Sequence, residues 1–153
     1  NGGFYIKPSL IKNRKKNKKK KVLDHSVSTK ILPILRKVVT DKEGTASLAN
    51  VDGYEIGGKT GTAQKSSLGS YSLNKKVNTF VSIFPISKPK FVLAVMLDEP
   101  EINKDYIYEY RDGSNFKLKG SPRNTAGWNS VEVSGHIIEK IGPILATKYS
   151  EIN

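Results

Sequence analysis

The residues best suited to chemistry stand together at Lys59-Thr60-Gly61-Thr62, inside the longer run Gly58-Lys59-Thr60-Gly61-Thr62-Ala63-Gln64-Lys65. On a strand, Thr60 and Thr62 are two residues apart and share one face. Two hydroxyls so placed can grip a carboxylate, and Lys59 adds positive charge beside them. Gly61 has no Cβ, which lets a ligand approach the backbone closely. A backbone N–H near Thr62 can complete an oxyanion hole, where each donor contributes about 3 kcal/mol to a transition state. A strand edge carrying these groups also suits pairing with an extended peptide.

The same string admits a second reading. Gly53 precedes Gly58-Lys59-Thr60 at the spacing of a phosphate-binding loop, so GYEIGGKT fits that pattern. Such a loop needs a parallel βαβ unit with a helix opening at the lysine. Gly61 would then lie inside the helix, and the residues downstream read as strands. A plain glycine-bearing strand with a bulge is the remaining structural alternative.

Composition narrows the chemistry further. Cysteine is absent, so there is no disulfide framework and no thiolate metal site. His25 and His136 are the only histidines and are far apart, too few for zinc catalysis. No metal and no cofactor are expected. The 153 residues suit one domain of ordinary size. Apolar residues make up 37% and the mean hydropathy is −0.44, a polar chain with no apolar run near the ~18 residues that span a bilayer. The chain opens on Asn1 and is read as a piece of a longer protein. The net charge of +12 owes much to Arg14, Lys15, Lys16, Lys18, Lys19, Lys20 and Lys21. A block of this kind can bind nucleic acid or anionic lipid. No aromatic residue interleaves it as a single-strand stacking platform requires, so it reads as a solvated hairpin tip and no nucleic acid is expected.

The elements that must position the motif follow from periodicity. Residues 4–12 read as a strand interrupted by Pro8, with Val22-Leu23 as a returning strand. Residues 26–40 read as a helix capped by Ser26 or Ser28, with Ile31, Leu35 and Val38 at helical spacing. Pro33 marks a start or a kink. Residues 54–65, 76–85 and 91–97 read as three strands of an antiparallel meander. The last, FVLAVML, is continuously apolar and so expected to be buried on both faces. Residues 102–123 read as a long, solvated loop. Residues 125–147 read as a helix with an apolar face of Val133, Ile137, Ile138, Ile141, Ile144 and Leu145, ended or bent at Gly142-Pro143.

The run from Gly58 to Lys65 resembles the penicillin-binding proteins, most closely the class B transpeptidases of cell division; Lys-Thr-Gly is a signature of that superfamily. Gly44-Thr45-Ala46, Val51-Asp52-Gly53-Tyr54, Asp98-Glu99-Pro100 and Thr125-Ala126-Gly127-Trp128 agree with it in order and spacing. The lysine block and the loop after Ile102 fit least well. The resemblance implies an α+β fold: the C-terminal part of the serine β-lactamase and transpeptidase fold, an antiparallel three-strand meander covered by helices. Residues 1–153 would be one portion of a single transpeptidase domain. Lys59 would organise the proton network and attract the substrate carboxylate. Thr60 and Thr62, with Gly61 between them, would bind the carboxylate of D-Ala or of a β-lactam, and the Thr62 N–H would be an oxyanion donor. The implied partners are peptidoglycan stem peptides ending in D-Ala-D-Ala, β-lactams and divisome proteins. The implied location is the periplasmic face of the inner membrane.

The family's nucleophile is the serine of a Ser-x-x-Lys upstream of this strand. Ser-x-x-Lys occurs here at Ser9, Ser72, Ser87 and Ser114. The chemistry needs serine and lysine on one helical face. Ser9 sits on an expected strand and the others in expected loops after the motif, so all four are rejected and this chain alone is expected to be inactive. The alternatives are a serine β-lactamase relative, a basic nucleic-acid-binding module and a nucleotide-binding loop domain.

Overall fold

The structure is a computed structural model that describes residues 1–11, 20–67 and 70–150. Its elements are β1 (Phe4–Tyr5), β2 (Lys20–Lys21), α1 (His25–Thr40), β3 (Gly57–Ser67), β4 (Ser70–Phe84), β5 (Phe91–Asp98), β6 (Ile107–Glu109), β7 (Lys117–Lys119) and α2 (Ser130–Ser150). Short 3-10 turns stand at Ser47–Ala49 and Ala126–Trp128. The three expected meander strands are present as one antiparallel sheet in the order β3-β4-β5. The hairpin between β3 and β4 is longer than the sequence pattern indicated, because polar strand residues lack the alternation that marks a strand.

The N-terminal strand is shorter than expected. Among the described residues of this stretch only Phe4 and Tyr5 pair, with Lys21 and Lys20. Val22 and Leu23 do not return as a strand; both of their amides donate to the Gly3 carbonyl instead. Most of the lysine block, residues 12–19, lies outside the described residues. Helix α1 begins one residue earlier than read, after Asp24 rather than after a serine cap. It passes through Pro33, and α2 likewise passes through Pro143. Both prolines are exposed. There the neighbouring carbonyl can turn out toward water, so the helix accommodates the ring without ending.

The two faces of the sheet are unequal. In β4, Asn78, Phe80, Ser82 and Phe84 are buried, while Val81 on the other face is 46% exposed. The register joins Phe80 to Val95 and Phe84 to Phe91, and α2 packs on β4 and β5 over this buried face. Strand β5 is therefore not buried on both faces. Val95 is buried, but Val92 and Met96 are 71% and 70% exposed on an outer strand. The apolar run was read as double burial because it has no polar member on either face.

The buried side of α2 also differs from the expected stripe. Val131, Ser134, Gly135, Ile138 and Gly142 are buried, whereas Ile144 is exposed. Small residues bring the helix close: a Cβ on Gly135 would stand 2.7 Å from the Leu48 carbonyl oxygen, and one on Gly142 would stand 2.3 Å from the Tyr54 ring. The core gathers there, with Val39, Leu48, Ile56, Phe80, Phe84 and Ile138 in one cluster.

The segment read as a solvated loop after β5 is an ordered hairpin, β6 with β7. Tyr108 is buried and donates its hydroxyl to the Trp128 carbonyl at 2.8 Å. Tyr106, Tyr108, Trp128, Tyr110 and Phe116 form a chain of edge-to-face rings with centroids 4.8–6.4 Å apart. Such pairs are worth about 0.5–1.5 kcal/mol each beyond their burial. The Tyr106 hydroxyl donates to Glu132 at 3.0 Å and meets His136 at 3.2 Å, pinning the hairpin to α2. Arg111 adds a two-point contact to Glu139 at 3.1 and 3.3 Å.

Two outcomes test these contacts. Burial, reinforced by the Glu132 carboxylate, pushes the Tyr106 phenol up to about 12. A raised acid favours its neutral form in the folded state. Its contribution is therefore full below the ordinary tyrosine value of about 10 and is lost as pH rises through about 12. In a spectrophotometric titration, Tyr106→Phe removes a late-ionising tyrosine. Within the sheet, a Cβ on Gly61 would stand 2.6 Å from the Thr79 hydroxyl. Gly61→Ala should lower stability by about 1–3 kcal/mol, and by less in a Thr79→Ala background, in a double-mutant cycle of urea unfolding.

Candidate active site

Among the described residues, β3 is an outer strand, paired only with β4. Lys59 faces Val81 across that pair, Thr60 faces Phe80, Gly61 faces Thr79 and Thr62 faces Asn78. Cross-strand partners share a face. Thr60 and Thr62 therefore stand on the buried-core side of the sheet, at its rim, and Lys59 on the opposite side. Lys59 lies in a strand and opens no helix, which removes the phosphate-loop reading.

Glycine lets this strand seat as it does. A Cβ on Gly58 would stand 2.5 Å from the Val81 oxygen and 2.7 Å from the Phe80 ring, and one on Gly57 would press on α1 at Leu35 and Arg36. Arg36 donates to the Ile56 carbonyl at 2.7 Å, tying α1 to the entry of β3. At Gly61 an added Cβ would also crowd the Thr79 hydroxyl, at 2.6 Å.

Lys59 reaches around the strand and donates from Nζ to the Thr60 carbonyl at 2.7 Å. That carbonyl thus looks away from β4. Backbone groups of an antiparallel strand alternate sides, so the Thr62 N–H looks to the same free edge. Ile34, Lys37, Val38, Glu43, Thr45 and Lys59 line a groove of about 400 Å³ beside it.

Both threonine hydroxyls have protein partners. The Thr60 hydroxyl lies 2.9 Å from that of Thr45. The Thr62 hydroxyl accepts from the Ala126 backbone N–H at 3.0 Å. The segment carrying Ala126 is held in turn by Asn124, whose Oδ1 accepts from the buried Asn78 side chain at 2.8 Å and whose carbonyl accepts from Lys76 at 3.1 Å. At the other end of the strand, Lys65 bridges Asp98 and Glu99 at 2.9 and 2.7 Å. These carboxylates, Glu99 foremost, hold the Lys65 amine above its usual value.

Thr45, Asn78, Asn124 and Ala126 were missed as site residues. Two of them lie in stretches that match the family in sequence, Gly44-Thr45-Ala46 and Thr125-Ala126-Gly127-Trp128, but nothing local places either beside the motif. Of the Ser-x-x-Lys serines, Ser9 and Ser114 lie outside the helices, Ser87 in the turn after β4 and Ser72 on β4.

Residues 1–115 match the penicillin binding protein transpeptidase domain. A probable peptidoglycan D,D-transpeptidase FtsI from Caulobacter vibrioides is 30% identical over 136 residues, 84% of this chain and 21% of the relative. A peptidoglycan D,D-transpeptidase FtsI homolog from Nephroselmis olivacea is 51% identical over 72 residues, 46% of this chain and 10% of the relative. Among solved structures, the apo transpeptidase domain of Burkholderia pseudomallei penicillin-binding protein 3 superposes with a TM-score of 0.60 at 26% identity, covering 85% of this chain and 35% of that one. Penicillin-binding protein 3 of Mycobacterium tuberculosis, solved in complex with ampicillin, gives 0.60 at 25% identity, covering 84% and 27%. The chain spans between a tenth and about a third of the length of these proteins. With the motif strand at a free sheet edge and a match that runs through it, this chain belongs to the transpeptidase domain family of the penicillin-binding proteins.

Proposed function

We propose that the chain is the C-terminal portion of the catalytic domain of a peptidoglycan D,D-transpeptidase, and that Lys59, Thr60, Gly61 and Thr62 form one wall of its active site. The observation that carries this reading is the free edge of β3, with the Lys59 amine and the Thr60 and Thr62 hydroxyls within one strand length of each other. The substrate is a stem peptide ending in D-Ala-D-Ala, lying extended along that edge. Its terminal carboxylate accepts from Thr60 and Thr62, and Lys59 supplies the field that draws it in. A serine from elsewhere in the domain adds through Oγ to the penultimate carbonyl carbon. The Thr62 N–H donates to the developing oxyanion. The C–N bond breaks, the serine proton leaves with the terminal D-Ala amine, and an acyl-serine ester remains. An amine of a second stem peptide then displaces the serine and closes the cross-link. A β-lactam enters the same way and stays as the ester.

The rest of the domain has a place to pack. Val81, Val92 and Met96 on the open sheet face and Ile31 and Ile34 on α1 are exposed apolar residues. In the proposed whole enzyme this surface is covered by the part bearing the nucleophile. Left open, an outer apolar strand promotes self-association. The parent protein would work at the periplasmic face of the inner membrane, held by an anchor outside these residues, with divisome proteins as partners.

The test is covalent labelling with a fluorescent penicillin, on this chain and on the protein extended by its upstream coding sequence. The extended protein should label, Lys59→Ala should cut the labelling rate by roughly 100-fold or more, and the 153-residue chain should not label. An extended, folded protein that takes no label overturns the reading.

A further inference from the structure

We propose that Thr45 is a positioning residue for substrate carboxylate recognition, acting by setting the direction in which the Thr60 hydroxyl donates. The proposal rests on the transpeptidase reading above. A hydroxyl has one proton to give and two lone pairs with which to accept. A carboxylate only accepts. Thr60 can therefore hold a carboxylate only if its one proton points at the ligand, which requires that any protein contact to its oxygen be one in which it accepts.

The Thr62 hydroxyl already meets this condition. Its oxygen accepts from the Ala126 backbone N–H at 3.0 Å, a donor whose direction cannot reverse. The Thr62 proton is thus left for another acceptor. The Thr60 hydroxyl lies 2.9 Å from the Thr45 hydroxyl, and this pair can run either way. With a carboxylate bound, only one direction is compatible: Thr45 donates to Thr60, and Thr60 donates to the ligand. Thr45 thereby does for Thr60 what the Ala126 amide does for Thr62. Because chained hydrogen bonds polarise one another, the Thr45 contact also strengthens the bond that Thr60 makes.

Thr45 is well held for this task. It follows Gly44, whose Cβ would stand 2.5 Å from the Val38 carbonyl oxygen, so the chain turns tightly off α1 there. The next amide, Ala46 N–H, donates back to the Val38 carbonyl at 3.0 Å, and Ala46 is fully buried. Across from it, Gly127 comes so close that a Cβ there would stand 2.8 Å from the Thr45 carbonyl oxygen. The two segments that orient the threonine hydroxyls, one carrying Thr45 and the other Ala126, thus abut each other. They form a single brace behind the strand.

The test uses the extended, penicillin-reactive protein and two probes, a penicillin with its free carboxylate and the methyl ester of the same penicillin. The reading is the ratio of their acylation rate constants, which cancels any loss of folded protein. Thr45→Val keeps the shape and removes the hydroxyl. It should reduce that ratio by roughly tenfold, the upper worth of one hydrogen bond between neutral groups. Thr45→Ser should restore it, and in a Thr60→Val background Thr45→Val should change nothing. A ratio unmoved by Thr45→Val, or lowered equally by it with and without the Thr60 hydroxyl, overturns the role given to Thr45 while leaving the transpeptidase reading intact. A wild-type protein that neither probe acylates overturns that reading and this inference with it.

Discussion

The register of β3 against β4 is the constraint on which the site depends. Side chains of a strand alternate faces, so a slip of one residue would exchange Lys59 with Thr60 and turn both threonines to the open side of the sheet. The glycines hold the register. Gly58 leaves space for the Phe80 ring and Gly61 for the Thr79 side chain, and any other pairing would set a side chain against one of them. Phe80 is fully buried and anchors β4 in the core. The chemistry at the rim is therefore referenced to the best-packed residue of the sheet.

A second layer of organisation lies behind the strand. The amide that Thr62 accepts from belongs to the turn leading into α2, and the hydroxyl beside Thr60 belongs to the turn leaving α1. Both turns lie far from the motif in sequence. Their position is secured by buried polar contacts, Asn78 to Asn124 above all. Buried polar groups are costly unless satisfied, so this contact does more than join two segments: it penalises arrangements in which they separate. The small residues on α2 allow that helix to come close enough for the turn to reach the strand.

The hairpin after β5 contributes differently. Its rings stack toward Trp128, which ends the same turn that carries Ala126. Tyr108 donates to the Trp128 carbonyl, and Tyr106 and Arg111 hold α2. The hairpin thus buttresses the turn that carries Ala126. This gives a structural reason for tyrosines in a stretch whose polarity otherwise suggests a free loop.

The sequence by itself determined the local chemistry and the strand order. The shared face of Thr60 and Thr62 was legible because a period of two places their hydroxyls together whatever surrounds them, and the three strands were legible from their punctuation. Two long helices were legible from spacing, although the buried side of α2 was not. A helix read by apolar residues alone is misread when small residues make the closest approach. What only the tertiary structure decided is which face of each strand is covered, since an all-apolar run such as FVLAVML carries no sign of its exposed side. It also decided the partners of the two hydroxyls. Thr45 and Ala126 are 15 and 64 residues from the threonines they touch. No local pattern encodes a contact between segments so far apart; it exists because glycines at positions 127, 135 and 142 let the turns and α2 close down on the sheet.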